Sequence, residues 1–143
     1  METRRSVSTT NSLQKLITSS SLVIFDGNVV KAYTNPEVEF CDDAANENAE
    51  AICDMIGKGP VYYLFVPDPT THITLEARLY EHPQFESLKI GQAIVIKTLA
   101  HRLLAQFYLN VRKNKYPVKI FDCETSAMNW FDELNVSGTT SVS

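Results

Sequence analysis

The chain has 143 residues, 44% of them hydrophobic and 21% charged, with a formal net charge of −4. A chain of that size and composition folds as one domain, buries a core without disulfide or metal support, and is not disordered. The acidic balance excludes a general nucleic-acid binder, whose phosphate contacts need a concentrated positive face.

Residues 1–21 are rich in Ser, Thr and Asn and read as a flexible or loosely docked arm. Within it, Leu13, Leu16 and Ile17 have helical spacing and suit a short docked helix. Met1-Glu2-Thr3-Arg4-Arg5 is charged and leads into no apolar signal core. No run reaches the roughly 18 apolar residues of a membrane helix. The expectation is a cytoplasmic protein without integral membrane association.

The body, residues 22–136, begins with Leu22-Val23-Ile24-Phe25 and Val29-Val30-Lys31-Ala32-Tyr33 around Asp26-Gly27-Asn28. Two β-rich runs flanking Asp-Gly predict a hairpin, because Gly accepts the positive φ that tight turns require. A first helix is predicted over about Cys41 to Ile56, with Ala45, Ala49, Ile52 and Ile56 on one face and Gly57-Lys58-Gly59-Pro60 as its stop. Val61 to Val66 is an uninterrupted apolar run, as expected of a strand buried on both faces. Thr74 caps a short second helix that Pro83 breaks, with Phe85 and Leu88 in a further turn. Gln92 to Lys97 is the fourth strand, and Thr98 caps a third helix through Leu99, Leu103 and Phe107. Val118 to Phe121 is the fifth strand, and Asp122 caps a last helix with Ala127, Trp130, Phe131 and Leu134 on one face. Residues 137–143 form a small-residue tail. The predicted order is β-β-α-β-α-β-α-β-α, an α/β domain with a mixed five-stranded sheet.

Several chemistries lack their residues. His72, His82 and His101 show no metal-ligand spacing with one another or with Cys41, Cys53 and Cys123, and no glycine-rich nucleotide loop occurs, so neither metal nor cofactor is expected. Three dispersed cysteines make no disulfide framework. Cys123, in the first turn of a helix, is the one thiol with a physical reason for a lowered pKa. Arg112-Lys113-Asn114-Lys115 reads as a solvated loop, and Glu76 and Arg78 as helical surface charge.

The order of elements resembles the STAS fold, named for sulfate transporters and anti-sigma-factor antagonists, and especially the stand-alone bacterial STAS-like proteins. The residues that carry the likeness are Thr74-Leu75-Glu76-Ala77-Arg78, Ala93-Ile94-Val95-Ile96-Lys97-Thr98 with the helix after it, and Pro117-Val118-Lys119-Ile120-Phe121-Asp122 followed by Ala127-Met128-Asn129-Trp130-Phe131. The resemblance implies a non-catalytic regulatory or protein-interaction module. The phosphorylatable Asp-Ser of anti-sigma-factor antagonists is missing; Pro67-Asp68-Pro69-Thr70-Thr71 stands in its place. Thr70 or Thr71 is the remaining phosphate candidate there, with a proline-rich turn as the plainer alternative.

One constellation suggests a small ligand instead. Asp68, Thr70, Thr71, Lys97, Thr98, His101 and Arg102 lie at or just beyond the carboxyl ends of two core strands, where open α/β sheets hold ligands. An anionic metabolite, nucleotide or lipid is the class such a site would take. Finally, the third helix carries more apolar surface than one sheet can cover. Leu99, Leu103 and Phe107 are expected on the sheet, and Leu104, Tyr108 and Val111 at an interface, most simply a homodimer, with the folded-back N-terminal segment carrying Leu13, Leu16 and Ile17 as the alternative.

Overall fold

The computed structural model describes residues 14–112 and 114–142. In chain order the elements are β1 (Gln14–Ile17), β2 (Ser21–Asp26), β3 (Val29–Thr34), β4 (Glu39–Phe40), α1 (Asp42–Ile56), β5 (Val61–Val66) and β6 (His72–Ile73). There follow α2 (Leu75–Leu79), α3 (Pro83–Leu88), β7 (Lys89–Val95), α4 (Leu99–Val111), β8 (Val118–Phe121) and α5 (Glu124–Val142).

The α/β class and the mixed sheet hold, but among the described residues the sheet has six strands, ordered β1-β2-β3-β5-β7-β8, beside a two-stranded β4-β6 ribbon. The hairpin forms where Asp-Gly predicts it: Asp26 pairs with Val29, and Gly27 takes φ 62° in the turn. The extra strand comes from the supposed arm, where Gln14 to Ile17 pair antiparallel with Phe25 to Leu22. Three apolar residues cannot separate a helical turn from a strand, and here a neighbouring strand edge supplies the backbone bonds that decide it. Alternation turns Leu16 onto the core and leaves Ile17 exposed. Leu13 lies outside the described residues. Asn48 of α1 fixes the β1–β2 turn: its side-chain carbonyl accepts from Thr18 Oγ1 at 2.6 Å and its amide donates to Ser21 Oγ at 2.9 Å.

From β3 onward every pairing is parallel, and each new strand joins the same growing edge. Right-handed crossovers advancing in one direction put all their helices on one face. The packing agrees. α1 to α4 lie over the face that carries Tyr63, Phe65, Ile94 and Ile96. α5 covers the other, where Tyr62, Leu64, Ala93 and Val95 meet Ala127 and Phe131. Tyr62 and Phe131 stack at 4.9 Å. The last helix starts one residue later than its Asp122 cap would place it and continues to Val142, through most of the stretch read as a tail.

Candidate functional site

A cavity of about 130 Å3 lies between the sheet and the helical layer, walled by β5 and β7 below and by α1 to α4 above and around. Its surface is mostly aromatic and aliphatic, with Phe40, Phe65, Ile94, Ile96 and Ala105 among the lining side chains. Polar groups gather at two places on this wall.

The first is built on a β-bulge. Val61 pairs with Lys89 but Tyr62 with Gly91, so Ile90 is an extra residue in β7. Without it, strict alternation would send Lys89 to the opposite face from Gln92, Ile94 and Ile96. With it, Lys89 turns onto the cavity face and its Nζ donates to Gln92 Oε1 at 2.9 Å. The ammonium is 2.8 Å from Glu86 Oε2 and within 5.4 Å of the ring centroids of Phe85, Tyr116 and Tyr63. Lys89 is only 8% exposed, and burial pushes its pKa down to about 8 against the opposing pull of Glu86. Burial also disfavours the Glu86 carboxylate, but Lys89, Tyr116 and Arg112 together hold it below its usual range. Tyr116 donates to Glu86 Oε1 at 2.6 Å, and Arg112 Nη2 reaches Glu86 at 3.1 Å and Glu81 at 2.9 Å.

The second group hangs from β6. That strand pairs with β4 along one edge only, which leaves the carbonyls of Thr71 and Ile73 facing the other way. Arg78 Nη1 donates to Ile73 O at 2.8 Å and His101 Nε2 to Thr71 O at 2.8 Å. Both residues line the cavity. Arg78 Nε and His101 Nδ1 are buried without a hydrogen-bond partner, as is Arg112 Nε. Buried polar groups are nearly always paired, so three such atoms around one cavity require an explanation.

Of the residues read from sequence as a strand-end site, Asp68, Thr70, Thr71 and Thr98 make local structural bonds. Asp68 accepts from the Thr70 amide at 3.0 Å and its hydroxyl at 2.6 Å, and these bonds hold its carboxyl below the usual range. Thr71 is buried, with its hydroxyl donating to Asn35 O at 3.0 Å. The next helix begins beyond it, capped by Thr74, and neither Thr70 nor Thr71 sits at its N-terminus. Thr98 caps α4 by accepting from the His101 amide at 3.0 Å. Lys97 is exposed and Arg102 half-buried, and among the described residues no bond joins either side chain to the Asp68–Thr71 turn. Among the described residues, the side-chain bond from α4 to this turn is that of His101 to Thr71 O. The physical reason is the strand order: a crevice at the carboxyl ends needs a reversal of that order, and this sheet has none.

The faces of α4 are also exchanged relative to expectation. His101, Ala105 and Tyr108 face the sheet, and Leu104 lines the cavity. Leu99, Leu103, Phe107 and Val111 form an outer stripe, each more than half exposed. Of the interface candidates only Val111 lies on it. Apolar count misled because the inward face uses a small residue and two with polar tips. Sequence reasoning also missed Arg78, Lys89 and Arg112. Gly91 in a strand was the available sign of a bulge beside Lys89. Arg112 belongs to no solvated loop but clamps Glu81 and Glu86; Lys113 lies outside the described residues. At Cys123 the thiol is held below its ordinary pKa by hydrogen bonds from Ser126, as its position suggested.

Among the described residues no group of His, Cys, Asp and Glu is placed to hold a metal ion, and no helix is long and apolar enough to cross a membrane. Fold and site thus define an α/β domain with four helices over one sheet face, a fifth over the other, and a cavity beneath the four. Residues 22–135 match the family described as Domain of unknown function (DUF7793), and the chain belongs to that family. No curated protein and no solved structure matches the chain.

Proposed function

We propose that this domain is a non-catalytic, STAS-like regulatory module whose cavity receives a small anionic molecule. The observation that carries the reading is the cavity wall: apolar side chains, three cationic ones (Arg78, Lys89 and Arg112), and buried polar atoms without partners. A mostly apolar pocket with a few convergent polar groups is the ordinary form of a small-molecule site. An engineered cavity of about 150 Å3 admits benzene, so this one takes a body of similar size. The short helices α2 and α3 form part of the cover, and an occupant would change how they rest on α1 and α4.

Thermal-shift screening of small organic acids against neutral analogues tests the reading. A ligand at a hundredfold excess over its Kd adds about 3 kcal/mol of stability. Ala105→Phe, which fills the cavity from α4, is expected to abolish the shift, whereas Lys97→Ala is not. Failure of every compound class to stabilise the wild type, or equal shifts in Ala105→Phe, refutes the proposal.

A second reading, binding of a protein partner or of a second copy, is favoured by the outer stripe of α4. A stable two-fold dimer needs about 800 Å2 per subunit. Light scattering over a dilution series decides this: a dimer mass that falls to a monomer in Leu103→Glu supports it, and a monomer mass throughout refutes it.

A further inference from the structure

We infer that the occupant of the cavity is a small carboxylic acid with a hydroxyl on the carbon next to its carboxylate, held by Arg78 and His101. The inference rests on the reading of the cavity as a ligand site and names what that site would take.

Charge bookkeeping around the wall singles out Arg78. The Lys89 ammonium is spent on Glu86 and Gln92. Arg112 is paired with Glu81 and Glu86. His82 faces Glu50 at 3.1 Å and caps α3. Among the described residues no acidic side chain pairs with Arg78, so it is the one cation of the lining without a counter-charge. Its Nη1 is used on Ile73 O, which leaves the Nε edge, buried and unpartnered. That edge of a guanidinium is a fork matched to a carboxylate.

His101 supplies the complement. The residue is 7% exposed, and its Nε2 must donate, since a carbonyl oxygen only accepts. In the neutral ring Nδ1 is then a lone pair with no donor. An oxyanion placed there would be repelled, whereas a hydroxyl would be bound. The two side chains are anchored on carbonyls two residues apart, about 7 Å along the extended backbone of Thr71 to Ile73, and so stand side by side on one stretch of the wall. With hydrogen bonds of about 2.8 Å at each end, a carboxylate and its neighbouring hydroxyl span a gap of that order. The rest of the molecule must be apolar to lie against Phe65, Ile94, Ile96 and Ala105. A phosphate, with more charge and no apolar body, fits this wall poorly.

The test is calorimetric titration of the full chain with 2-hydroxy-4-methylpentanoate, 4-methylpentanoate, 4-methylpentan-1-ol and inorganic phosphate. The hydroxy acid is expected to bind about fivefold tighter than the plain acid, and the plain acid about tenfold tighter than the alcohol. His101→Phe removes the first preference, and Arg78→Met the second while leaving alcohol binding intact. Should Arg78→Met not fold, Arg78→Lys keeps the charge, loses the fork and still weakens the preference for acids. An alcohol that binds as tightly as the acids, or phosphate that binds best, overturns the inference but leaves the cavity reading standing. Absence of binding by all four probes and by every apolar compound in the thermal screen overturns the cavity reading itself.

Discussion

Replacing Lys89 by Met tests whether a charge is held inside the cavity wall at a cost. Methionine keeps the apolar stem against Tyr63, Phe85 and Tyr116 and removes the ammonium. Glu86 retains Arg112 and Tyr116, so it is not left as an unpaired buried charge. In the folded protein the Lys89 pKa is about 8, against an ordinary 10.5. Between those values the unfolded chain holds the proton and the folded chain does not, so wild-type stability rises with pH through that window. Below pH 8 the full penalty applies. A gap of about 2.5 pH units at about 1.4 kcal/mol each comes to roughly 3 to 4 kcal/mol. Within pH 7 to 9, below the range where tyrosines of the unfolded chain ionise, the gain is about 1 kcal/mol. Urea unfolding of both proteins at pH 7, 8 and 9 isolates it, because every other group contributes alike. Wild type is expected to gain on Lys89→Met by that amount. Parallel stability curves would show that the buried lysine is solvated in the fold, and the argument would fail.

Three further substitutions probe how the fold is held. Asn48→Ala strands the buried partners Thr18 and Ser21 and is expected to cost about 2 to 3 kcal/mol by urea unfolding, with loss of exchange protection in β1. At Gly91 an added Cβ would lie 2.9 Å from the Tyr62 ring and 3.2 Å from Leu134, so Gly91→Ala should lose about 1 to 3 kcal/mol. An unchanged denaturation midpoint would mean that α5 is not seated there. Phe131→Ala empties the centre of the α5 face and should lower stability by about 3 to 5 kcal/mol, read from the fluorescence of the single tryptophan, Trp130.

Much of the frame was legible because its signals are local. The Asp26-Gly27 hairpin, the apolar runs at Val61 and Val118, and the helices that begin at Asp42 and Leu99 all follow from patterns within a few residues. What escaped depends on contacts between distant segments. β1 exists because β2 offers an edge, and β7 begins three residues early because the bulge at Ile90 lets Lys89 join the sheet. Arg78 looks like surface charge until β6 presents a free carbonyl to it, and His101, read as one of the strand-end group, turns inward to bond Thr71 O. At the strand ends Asp68, Thr70, Thr71 and Thr98 are engaged in local hydrogen bonds, and no periodicity reveals whether strand order reverses. A cavity has no sequence signature at all, being the space left when α1 to α4 settle over one face.

The single helix on the opposite face has a consequence during synthesis. In chain order α5 follows every strand it covers, and Tyr62, Leu64, Ala93 and Val95 rely on it for their burial. A nascent chain that has already paired β5 with β7 therefore carries a bare apolar plane until Ala127 and Phe131 leave the ribosome. Exposed sheet surface of that kind is what self-associates and what chaperones hold. Translation slowed between β8 and α5 would lengthen this vulnerable interval, while the cavity face, roofed as each crossover helix emerges, is never left open in the same way.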